Sequence, residues 1–494
     1  MDSPILTSAQ MRAAEEAAFA RGVEVETLMN QAGTGVAGAV RKFLPCPGKC
    51  IVFAGKGHNG GDALVAAECL KRWGWEIELR LPFAEAECSE LTRKKLGAFR
   101  DAPPNSSATA ESRAPTIILD GLLGLGTESF LREPIRTAAR EINQLRAERN
   151  AIVFAVDLPT GLNGDSGEID PDCVVADFTV TIGFAKHGLI VDPALDFVGR
   201  IEVVPLADLA PGEGAPNEII ATAPSLASLL PRRKFSAYKN QFGRVGVVAG
   251  SKGFVGAALL TAQGALRAGA GLVEIFVLEE IYSIVASAAP LEAMVKPIRS
   301  YRDLLEEEKI DVWAVGPGLG KAHAAHLLRF IERAEKPMVV DADGLNILAD
   351  KIGVLEHCQG KRLLTPHPGE MERLLHPGKM TRAWIARNFC EKFPVTLLFK
   401  GSRTIVCEQN RPLSYNNTGN PGMATGGMGD VLTGVCAGLA GQGLSFYDAA
   451  RVGAWLCGRT AEMSISNSNA SEESLLPRDV LDNLGQTFRD LRLS

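Results

Sequence analysis

The strongest constraint on the fold is a regular alternation of short β-rich runs with Ala- and Leu-rich helical stretches along the whole chain. In the first half the strand-like runs are CIVFA, WEIELRL, TIILD, AIVFAVD and FTVTIG, with stretches such as ALVAAECLKRW and IRTAAREINQLRAE between them. The second half continues with GRVGVVAG, AALLTAQGALRAG, LVEIFVL, DVWAVG, PMVVDAD, KRLLTPH and VTLLFKG. This pattern predicts the α/β class, with parallel sheets covered by helices on both faces and ligand sites at the carboxyl ends of the strands.

The length of 494 residues accommodates two large α/β domains. The stretch ADLAPGEGAPNEIIATAP, residues 207–224, is rich in proline, glycine and small residues, which is typical of a linker. We therefore predict a first domain at residues 1–210, a linker at 211–224 and a second domain at 225–494.

Composition narrows the classes of partner and the compartment. The net charge is −6 and no basic block is present, which argues against a nucleic-acid or anionic-membrane surface. The ten cysteines are scattered without a C-x-x-C pair, which favours reduced thiols in the cytoplasm over disulfides or structural zinc. The N-terminal residues lack the basic and apolar regions of a signal peptide, and no apolar run reaches the ~20 residues of a membrane span. We expect a soluble cytoplasmic protein.

A glycine-rich turn follows the first strand-like run, in KCIVFAGKGHNGGDALVAA. It fits the dinucleotide pattern G-x-G-x-x-G at Gly55, Gly57 and Gly60. Glu76 or Glu78 on the next strand could then bind a ribose. Asp62 argues against this interpretation, because a carboxylate near the start of the helix would compete with an anionic pyrophosphate. The alternative for Asp62 is a helix charge that the dipole stabilises.

Two further strand ends present oxygen groups. Asp120 closes the TIILD strand, and Asp157 closes AIVFAVD, with Thr160 three residues later. Together with Asn59 and Asp62, they form an oxygen-only set, which suits a hard cation better than zinc. Each acid alone could be a helix cap or a turn former, but their positions at neighbouring strand ends predict one site.

The three motifs G-x-G-x-N-G-G-D, D-x-L-L-G-x-G and D-x-P-[ST]-G resemble the NAD(P)H-hydrate epimerases over about residues 8–210. The resemblance implies a Rossmann-like three-layer domain and a potassium ion held by Asn59, Asp120 and Thr160. The sequence departs from the usual pattern at His58, Ala63 and Leu125, and Thr160 replaces serine but keeps the hydroxyl. The implied contacts to the hydrated cofactor are His58, Asn59, Gly60, Gly61, Asp62, Gly124, Leu125, Gly126, Thr127, Glu128, Ser129, Phe130 and Asp157.

A hydrated nicotinamide carries a hydroxyl on the carbon beside the ring nitrogen, whose lone pair can expel it. Water can then return from either face, so the reaction needs an acid/base and anionic surroundings for the developing positive charge. Asp157 is our hypothesis for the acid/base. Lys186, in TIGFAKHGL, is a candidate helper, and the alternative is a solvated or cap-linked lysine.

A second glycine-rich stretch, NTGNPGMATGGMGDVLTGVCAGLAGQG, occupies residues 417–443. Gly426, Gly427 and Gly429 precede Asp430, and a helical pattern follows. Small residues at this junction let backbone N–H groups approach a phosphate. Asp430 is either a helix N-cap or an acid/base directed at a substrate hydroxyl, and the G-G-x-G-D spacing favours the acid/base.

This turn resembles that of the ribokinase-like fold. The segments GSKGFVGAALL, VGPGLG, DADGLNIL, TPHPGEMERLL and FKGSRTIV follow the ADP/ATP-dependent NAD(P)H-hydrate dehydratases in order, over about residues 225–490. In the implied reaction the nucleotide phosphorylates the hydroxyl, Asp430 removes its proton, and phosphate leaves. The implied substrate contacts are Ala257, Gly318, His367 and Asp430, and the nucleotide contacts are Lys400, Gly401, Ser402, Arg403, Thr404 and Gly429.

The two resemblances together imply a bifunctional enzyme that epimerises the R and S forms of hydrated NADH and NADPH. It would also dehydrate the S form at the expense of ADP, with magnesium as the second metal, and we expect a homo-oligomer. One alternative is a ribokinase-like kinase of a vitamin or sugar. The other is a non-catalytic nucleotide-binding or scaffold protein, which the retention of four aspartates, Asp62, Asp120, Asp157 and Asp430, disfavours.

Overall fold

The computed structural model describes residues 2–103, 114–125, 130–212, 214, 216–467 and 470–493. The chain forms two compact units, Ser3–Pro216 and Asn217–Ser494, and the first two residues belong to the second unit. The division falls inside the stretch predicted as a linker, residues 211–224.

The N-terminal unit alternates strands and helices. Its strands are β1 (Ser3–Leu6), β2 (Lys49–Ala54), β3 (Glu76–Arg80), β4 (Thr116–Gly121), β5 (Ile152–Val156), β6 (Phe178–Ile182), β7 (Ala185–Lys186) and β8 (Arg200–Val204). Its helices are α1 (Ser8–Ala20), α2 (Val25–Phe43), α3 (His58–Arg72), α4 (Glu90–Asp101), α5 (Ile135–Arg149) and α6 (Leu195–Val198). All five strands predicted in this half are therefore confirmed, to within two residues at their ends.

A six-stranded parallel sheet is the centre of this unit, in the order β3-β2-β4-β5-β6-β8. Alternate side chains of each strand point to opposite faces. Val52 and Leu119 pack in one core cluster with residues of α2 and α3, whereas Ile51 and Ile118 pack in another with residues of α5. The sheet thus has helices on both faces, as the alternation predicts, and the carboxyl ends of β2, β4 and β5 are neighbours.

The C-terminal unit continues the numbering. Its strands are β9 (Glu218–Ala221), β10 (Arg244–Val248), β11 (Leu272–Leu278), β12 (Ala293–Ile298), β13 (Val312–Val315), β14 (Met338–Val340), β15 (Arg362–Leu364), β16 (Thr396–Phe399), β17 (Ile405–Cys407) and β18 (Leu413–Asn416). Its helices are α7 (Ala223–Ala227), α8 (Val255–Arg267), α9 (Glu279–Ala288), α10 (Ala324–Arg333), α11 (Asp343–Ala349), α12 (Pro368–Leu375), α13 (Arg382–Lys392), α14 (Met428–Gly441), α15 (Phe446–Asn467) and α16 (Pro477–Leu493).

The sheet of this unit runs in the order β12-β11-β10-β13-β14-β15-β16-β17-β18-β9. Strands β10 to β16 pair in parallel, but β17 is antiparallel to both β16 and β18. The expected parallel arrangement therefore holds for β10 to β16, and β17 is an antiparallel addition. The turn between β16 and β17 is too short for a helical crossover, so the chain returns as a hairpin.

The predicted linker also needs correction. Within residues 211–224, Glu218–Ala221 form β9, which pairs in parallel with β18, and α7 begins at Ala223. Ile219 and Ile220 are buried, because this short apolar pair covers the edge of β18. The proline- and glycine-rich composition of the stretch concealed a strand of four residues.

Close packing of α8 against α14 fixes the start of α14, where Asp430 lies. A Cβ placed on Gly434 would lie 2.0 Å from the carbonyl oxygen of Thr261, and one placed on Gly264 would lie 2.5 Å from that of Val431. Only glycine permits backbones to approach this closely. The two helices therefore hold a single relative position.

The part of the chain that the structure describes contains no helix that is both long enough and apolar enough to cross a bilayer.

The glycines of the first turn generate a stability prediction. A Cβ on Gly60 would lie 1.9 Å from the carbonyl oxygen of Gly55, whereas nothing lies within 4 Å of a Cβ on Gly57. We expect Gly60→Ala to lower the free energy of unfolding by about 2 kcal/mol or more, because the backbone must move apart. Gly57→Ala is the matched control and should be close to neutral. Urea unfolding of the full chain measures both, and equal stability of the two variants would contradict the prediction.

Candidate active sites

Asp120, at the end of β4, is a fully buried carboxylate. The Thr160 hydroxyl donates to Oδ1 at 2.7 Å, and the Thr160 backbone N–H donates to Oδ2 at 2.8 Å. Burial raises the pKa of Asp120 to about 6, against the opposing effect of the hydrogen bonds from Thr160 and Leu122. No cation pairs with this carboxylate among the residues that the structure describes.

Asn59 belongs to the same group of polar atoms. Its side-chain amide donates to the carbonyl oxygen of Leu123 at 2.9 Å, and the Leu123 N–H donates to the Thr160 hydroxyl at 3.2 Å. The structure therefore brings together Asn59, Asp120 and Thr160, the three predicted potassium ligands. One buried carboxylate beside neutral oxygens fits a monovalent cation in charge and in donor chemistry.

Asp157 follows β5 in the left-handed region, with φ of 68°. Its Oδ1 accepts from the Ile182 N–H at 3.0 Å and from the Lys186 ammonium. Lys186 is fully buried and also donates to the carbonyl oxygen of Ile182 at 2.9 Å and to the Thr181 hydroxyl at 3.3 Å. The interpretation of Lys186 as a solvated or cap-linked lysine is therefore wrong, because its head group is the buried ion-pair partner of Asp157.

Asp62 lies on α3 and is half-buried. The helix begins at His58, so Asp62 lies beyond the first turn, where the helix dipole has little effect. Burial raises its pKa well above the usual range, and the nearby carboxylates of Asp157 and Glu15 raise it further, against Lys186. A proton is therefore retained more easily on Asp62 than on an ordinary aspartate.

Glu15, on α1, was not identified from sequence as part of this site. Burial raises its pKa, as does Asp157, while Lys186 and Arg12 oppose the rise. The interaction with Asp157 places a third carboxyl group near Asp62. Only its position within an ordinary helical pattern is visible in the sequence, and no motif includes it.

The remaining predicted contacts of the first site differ in exposure. His58, Asn59, Gly60 and Gly61 form the start of α3, where Gly60 and Gly61 are buried and His58 is exposed. Gly124 and Leu125 follow β4, with Gly124 beside Asn59, and the Phe130 side chain is 63% exposed. Four further predicted contacts lie outside the described residues: Gly126, Thr127, Glu128 and Ser129.

In the C-terminal unit, Asp341 follows β14 and is buried. Its Oδ1 accepts from Lys400 Nζ at 2.7 Å, and its Oδ2 accepts from the Thr433 hydroxyl of α14 at 2.7 Å. Lys400 follows β16, and its ammonium also lies 3.8 Å from Glu370 Oε2. Burial alone would lower the pKa of Lys400, but Asp341 and Glu370 outweigh it and raise the pKa.

Asp430, on the first turn of α14, is half-buried beside this group. Burial and the charge of Asp341 raise its pKa to about 7, against the opposing charge of Lys400. A Cβ on Gly429 would lie 3.3 Å from Lys400 Nζ, so the lysine head group reaches the backbone of the glycine-rich turn. A carboxyl with a pKa near neutrality is suited to accept a proton at neutral pH.

His367 is the N-cap of α12. Its Nδ1 accepts from the Gly369 N–H at 3.0 Å, and the His367 N–H donates to Glu370 Oε2 at 2.8 Å. Its side chain is half exposed, with Nε2 3.5 Å from Glu370 Oε1. The cap therefore fixes the ring with Nδ1 directed at the helix, which leaves Nε2 for Glu370 or a ligand.

Gly318, in the segment after β13, lies close to Ala257 at the start of α8. A Cβ on Gly318, whose φ is 64°, would lie 3.0 Å from Ala257 Cβ. The Ser251 hydroxyl donates to the carbonyl oxygen of Gly318 at 2.7 Å, which ties the two glycine-rich segments together. Two of the four predicted substrate contacts are thus in contact with each other.

The predicted nucleotide contacts form the turn between β16 and β17. Gly401 and Ser402 are exposed, Thr404 donates to the carbonyl oxygen of Gly401 at 3.1 Å, and Arg403 is buried. Lys400 is bound by Asp341. The side chains of Lys400 and Arg403 thus both turn inward.

Three residues that act together here were not identified from sequence: Asp341, Glu370 and Thr433. Asp341 had a usable signal, since it directly follows a strand within DADGLNIL. Thr433 lies three residues after Asp430, on the same face of α14. The pairing of Asp341 with Lys400 joins positions 59 residues apart and has no local signature.

Each unit therefore carries an acidic site at the carboxyl ends of parallel strands, beside a glycine-rich turn that opens a helix. The N-terminal unit has a Rossmann-like fold and the C-terminal unit has a ribokinase-like fold. This combination defines a two-domain α/β enzyme with one acidic site in each domain.

Comparison with known proteins identifies the family. Residues 245–484 match the NAD(P)H-hydrate dehydratases, and residues 25–188 match the family described as YjeF-related protein N-terminus. The bifunctional NAD(P)H-hydrate repair enzyme of Moorella thermoacetica is 35% identical over 94% of this chain and 92% of its own length. That of Escherichia coli is 33% identical over 92% of this chain and 88% of its own. This chain belongs to the family of bifunctional NAD(P)H-hydrate repair enzymes.

A solved structure is also similar. The ADP/ATP-dependent NAD(P)H-hydrate dehydratase of Bacillus subtilis, co-crystallised with ATP and Mg²⁺, is 27% identical to the matched part. The match covers 56% of this chain and all of that chain, with a TM-score of 0.49.

The buried pair of Asp157 and Lys186 generates the second prediction. Lys186→Met leaves a buried carboxylate without its cation, so we expect a loss of about 3 kcal/mol in the free energy of unfolding. Lys95→Met is the matched control, since Lys95 is also buried and donates to Glu26 at 2.7 Å, but Glu26 keeps Lys94 and solvent. Lys95→Met should therefore lower the free energy of unfolding by clearly less than Lys186→Met does. Urea unfolding compares them, and equal losses would contradict the prediction.

Proposed function

We propose that this enzyme repairs hydrated NADH and NADPH in two steps. The N-terminal unit interconverts the R and S epimers of the hydrate, and the C-terminal unit returns the S epimer to NADH or NADPH at the expense of ADP. The observation that carries the proposal is an arrangement found in both units, in which a lysine pairs with an aspartate at a strand end and a second aspartate lies on the helix that follows a glycine-rich turn.

At the first site Asp157 is the proposed acid/base. The Ile182 N–H and the Lys186 ammonium both occupy its Oδ1, which leaves Oδ2 for the substrate. Expulsion of the hydroxyl places positive charge on the nicotinamide ring. The carboxyl groups of Asp62 and Asp157 stabilise that charge while water leaves and returns.

Asn59, Asp120 and Thr160 are the proposed potassium ligands. When bound, the cation would neutralise the buried Asp120 carboxylate and fix the loops that follow β4 and β5. The hydrogen bonds from Asn59 to Leu123 and from Leu123 to Thr160 already hold these loops together.

At the second site Asp430 is the proposed base. It takes the proton of the substrate hydroxyl while the oxygen attacks the terminal phosphate of ADP, and AMP leaves. Loss of the new phosphate from the ring carbon, with loss of a ring proton, then regenerates the dihydronicotinamide. Asp341 accepts a hydrogen bond from the Lys400 ammonium and so keeps it beside Gly429. There the ammonium is within reach of a phosphate bound at the start of α14.

Further proposals concern the nucleotide, the metal, the assembly and the compartment. The turn from Lys400 to Thr404 would contact ADP, together with Gly429. Magnesium would arrive with the nucleotide phosphates, because the described residues contain no group of three or more His, Cys, Asp or Glu side chains that could hold a metal ion. We also infer a homo-oligomer and a cytoplasmic location, which suits ten free thiols.

Chromatography of a mixed-epimer NADH hydrate tests the proposal directly. Without ADP the enzyme should bring either isolated epimer to the same mixture, faster than buffer alone. With ADP both epimers should disappear, and NADH and AMP should appear. A stable phosphoester product would support a kinase instead, and unchanged epimers would support a non-catalytic protein.

Two variants separate the units and serve as controls for each other. Asp430→Ala should abolish ADP-dependent repair and leave epimerisation intact. Asp157→Asn should slow epimerisation by at least about 100-fold and leave consumption of the S epimer intact. Loss of both activities in either variant would contradict two independent sites.

The group around Asp430 generates a pH prediction. Asp430 must be ionised to act as a base, so ADP-dependent repair should rise with pH through about 7 and then level off. Asp341→Asn removes the negative charge that raises this pKa, so the rise should move to lower pH. Asp350→Asn is the control, since Asp350 is exposed at the end of α11. Rate profiles against pH that coincide for wild type and Asp341→Asn would contradict the prediction.

A further inference from the structure

Asp157 and Asp62, in the N-terminal site, differ in their hydrogen-bond and ion-pair partners. Asp157 has the fully buried Lys186 ammonium, the Ile182 N–H at 3.0 Å and the Thr181 hydroxyl at 3.4 Å, all on Oδ1. Among the described residues, no hydrogen-bond donor or cation contacts the carboxyl group of Asp62. An ion pair with a buried ammonium favours the charged form, whereas burial without a partner favours the neutral form.

We propose that Asp62 is the proton donor of the epimerase and Asp157 its ionised partner, held by Lys186. This inference rests on the proposed epimerase activity and goes beyond a single acid/base. Lys186 acts through Asp157 and is a positioning residue. Asp62, which the family resemblance makes only a substrate contact, becomes a catalytic residue.

The surrounding charges support this division. The groups that face Asp62 are Asp157 after β5, Glu15 on α1 and Lys186 on β7. Two of the three are carboxyl groups, and together with burial they raise the pKa of Asp62. Environments that make two neighbouring carboxyl groups differ in protonation are the usual basis for assigning an acid and a base.

The step balances in atoms and charge. The Asp62 carboxyl gives its proton to the hydroxyl oxygen, the C–O bond breaks, and water leaves. The lone pair of the ring nitrogen supplies the electrons and forms a C=N bond with positive charge. An incoming water then bonds to the same carbon as the C=N electrons return to nitrogen, and Asp157 takes its proton. One proton has moved from Asp62 to Asp157, and exchange with solvent restores the starting state.

The decisive variant is Asp62→Asn, because the Asp62 carboxyl has no hydrogen-bond or ion-pair partner in the part of the chain that the structure describes. Starting from one isolated epimer of NADH hydrate without ADP, we expect kcat to fall at least about 100-fold with KM changed little. The same preparation should consume the S epimer with ADP at the wild-type rate, which shows that the C-terminal unit is intact, while the unchanged KM for epimerisation shows that the N-terminal unit still binds the hydrate. A raised KM with an unchanged kcat would overturn the inference and leave Asp62 a binding residue.

A pH profile supplies a second readout that a structural role would not move. Protonated Asp62 is lost as pH rises, so epimerisation should fall as the pH passes through the raised pKa of Asp62. Glu15→Gln removes a neighbouring carboxylate, which should move that fall to lower pH. Glu16→Gln is the matched control, since Glu16 is exposed on the same helix and should leave the profile unchanged.

These results distinguish the inference from the proposed function. If wild type does not epimerise the hydrate at all, the proposed function itself fails. If wild type epimerises and Asp62→Asn is as fast while Asp157→Asn is inactive, only the division of roles fails. If the epimerisation rate falls over the same pH range in wild type and in Glu15→Gln, the assignment of Asp62 as proton donor is also overturned.

Discussion

Pairing of a buried aspartate with a lysine that is largely shielded from solvent is the interaction that the two sites share. Asp157 pairs with Lys186 in the N-terminal unit, and Asp341 pairs with Lys400 in the C-terminal unit. Each aspartate directly follows a strand of a parallel sheet. A buried carboxylate without a cation and hydrogen bonds destabilises the folded state. The lysine therefore stabilises the aspartate at the end of the strand.

Beside each pair lies a second aspartate on a helix, which forms no ion pair with any of the described residues. This is Asp62 on α3 and Asp430 on α14, and for both, burial is the largest cause of a raised pKa and the neighbouring paired aspartate is the next. The two units share no sheet order, yet they arrive at the same arrangement. Expelling a hydroxyl from a ring carbon needs a proton moved at neutral pH, and a titratable aspartate beside a fixed one can do this.

Sequence patterns predicted most of the fold, because hydrophobic alternation reports burial directly. They failed where a strand is short or where its neighbour decides its direction. Ile219 and Ile220 form a strand inside a stretch with linker composition, and β17 runs antiparallel because a short turn precedes it. At the sites, strand-end aspartates were visible, whereas Lys186 gave no sign of burial and Glu15 no sign of proximity. Those properties depend on how α1 and β7 pack, which local sequence does not encode.

The first glycine-rich turn also resembles a dinucleotide fingerprint, and its geometry explains why the match misleads. Gly55 and Gly60 are required by backbone packing, since a Cβ on Gly55 would lie 2.0 Å from the carbonyl oxygen of Leu122 and one on Gly60 would strike Gly55. Gly57 has free space around it. The spacing of Gly55 and Gly60 is therefore explained by close backbone contact between β2, α3 and the loop after β4. With Asp62 and Asp157 at the same edge, the turn is suited to a nicotinamide ring that gains positive charge as it loses a hydroxyl. Hydride transfer would gain nothing from two neighbouring carboxyl groups, whereas the proposed transfer of a proton uses both.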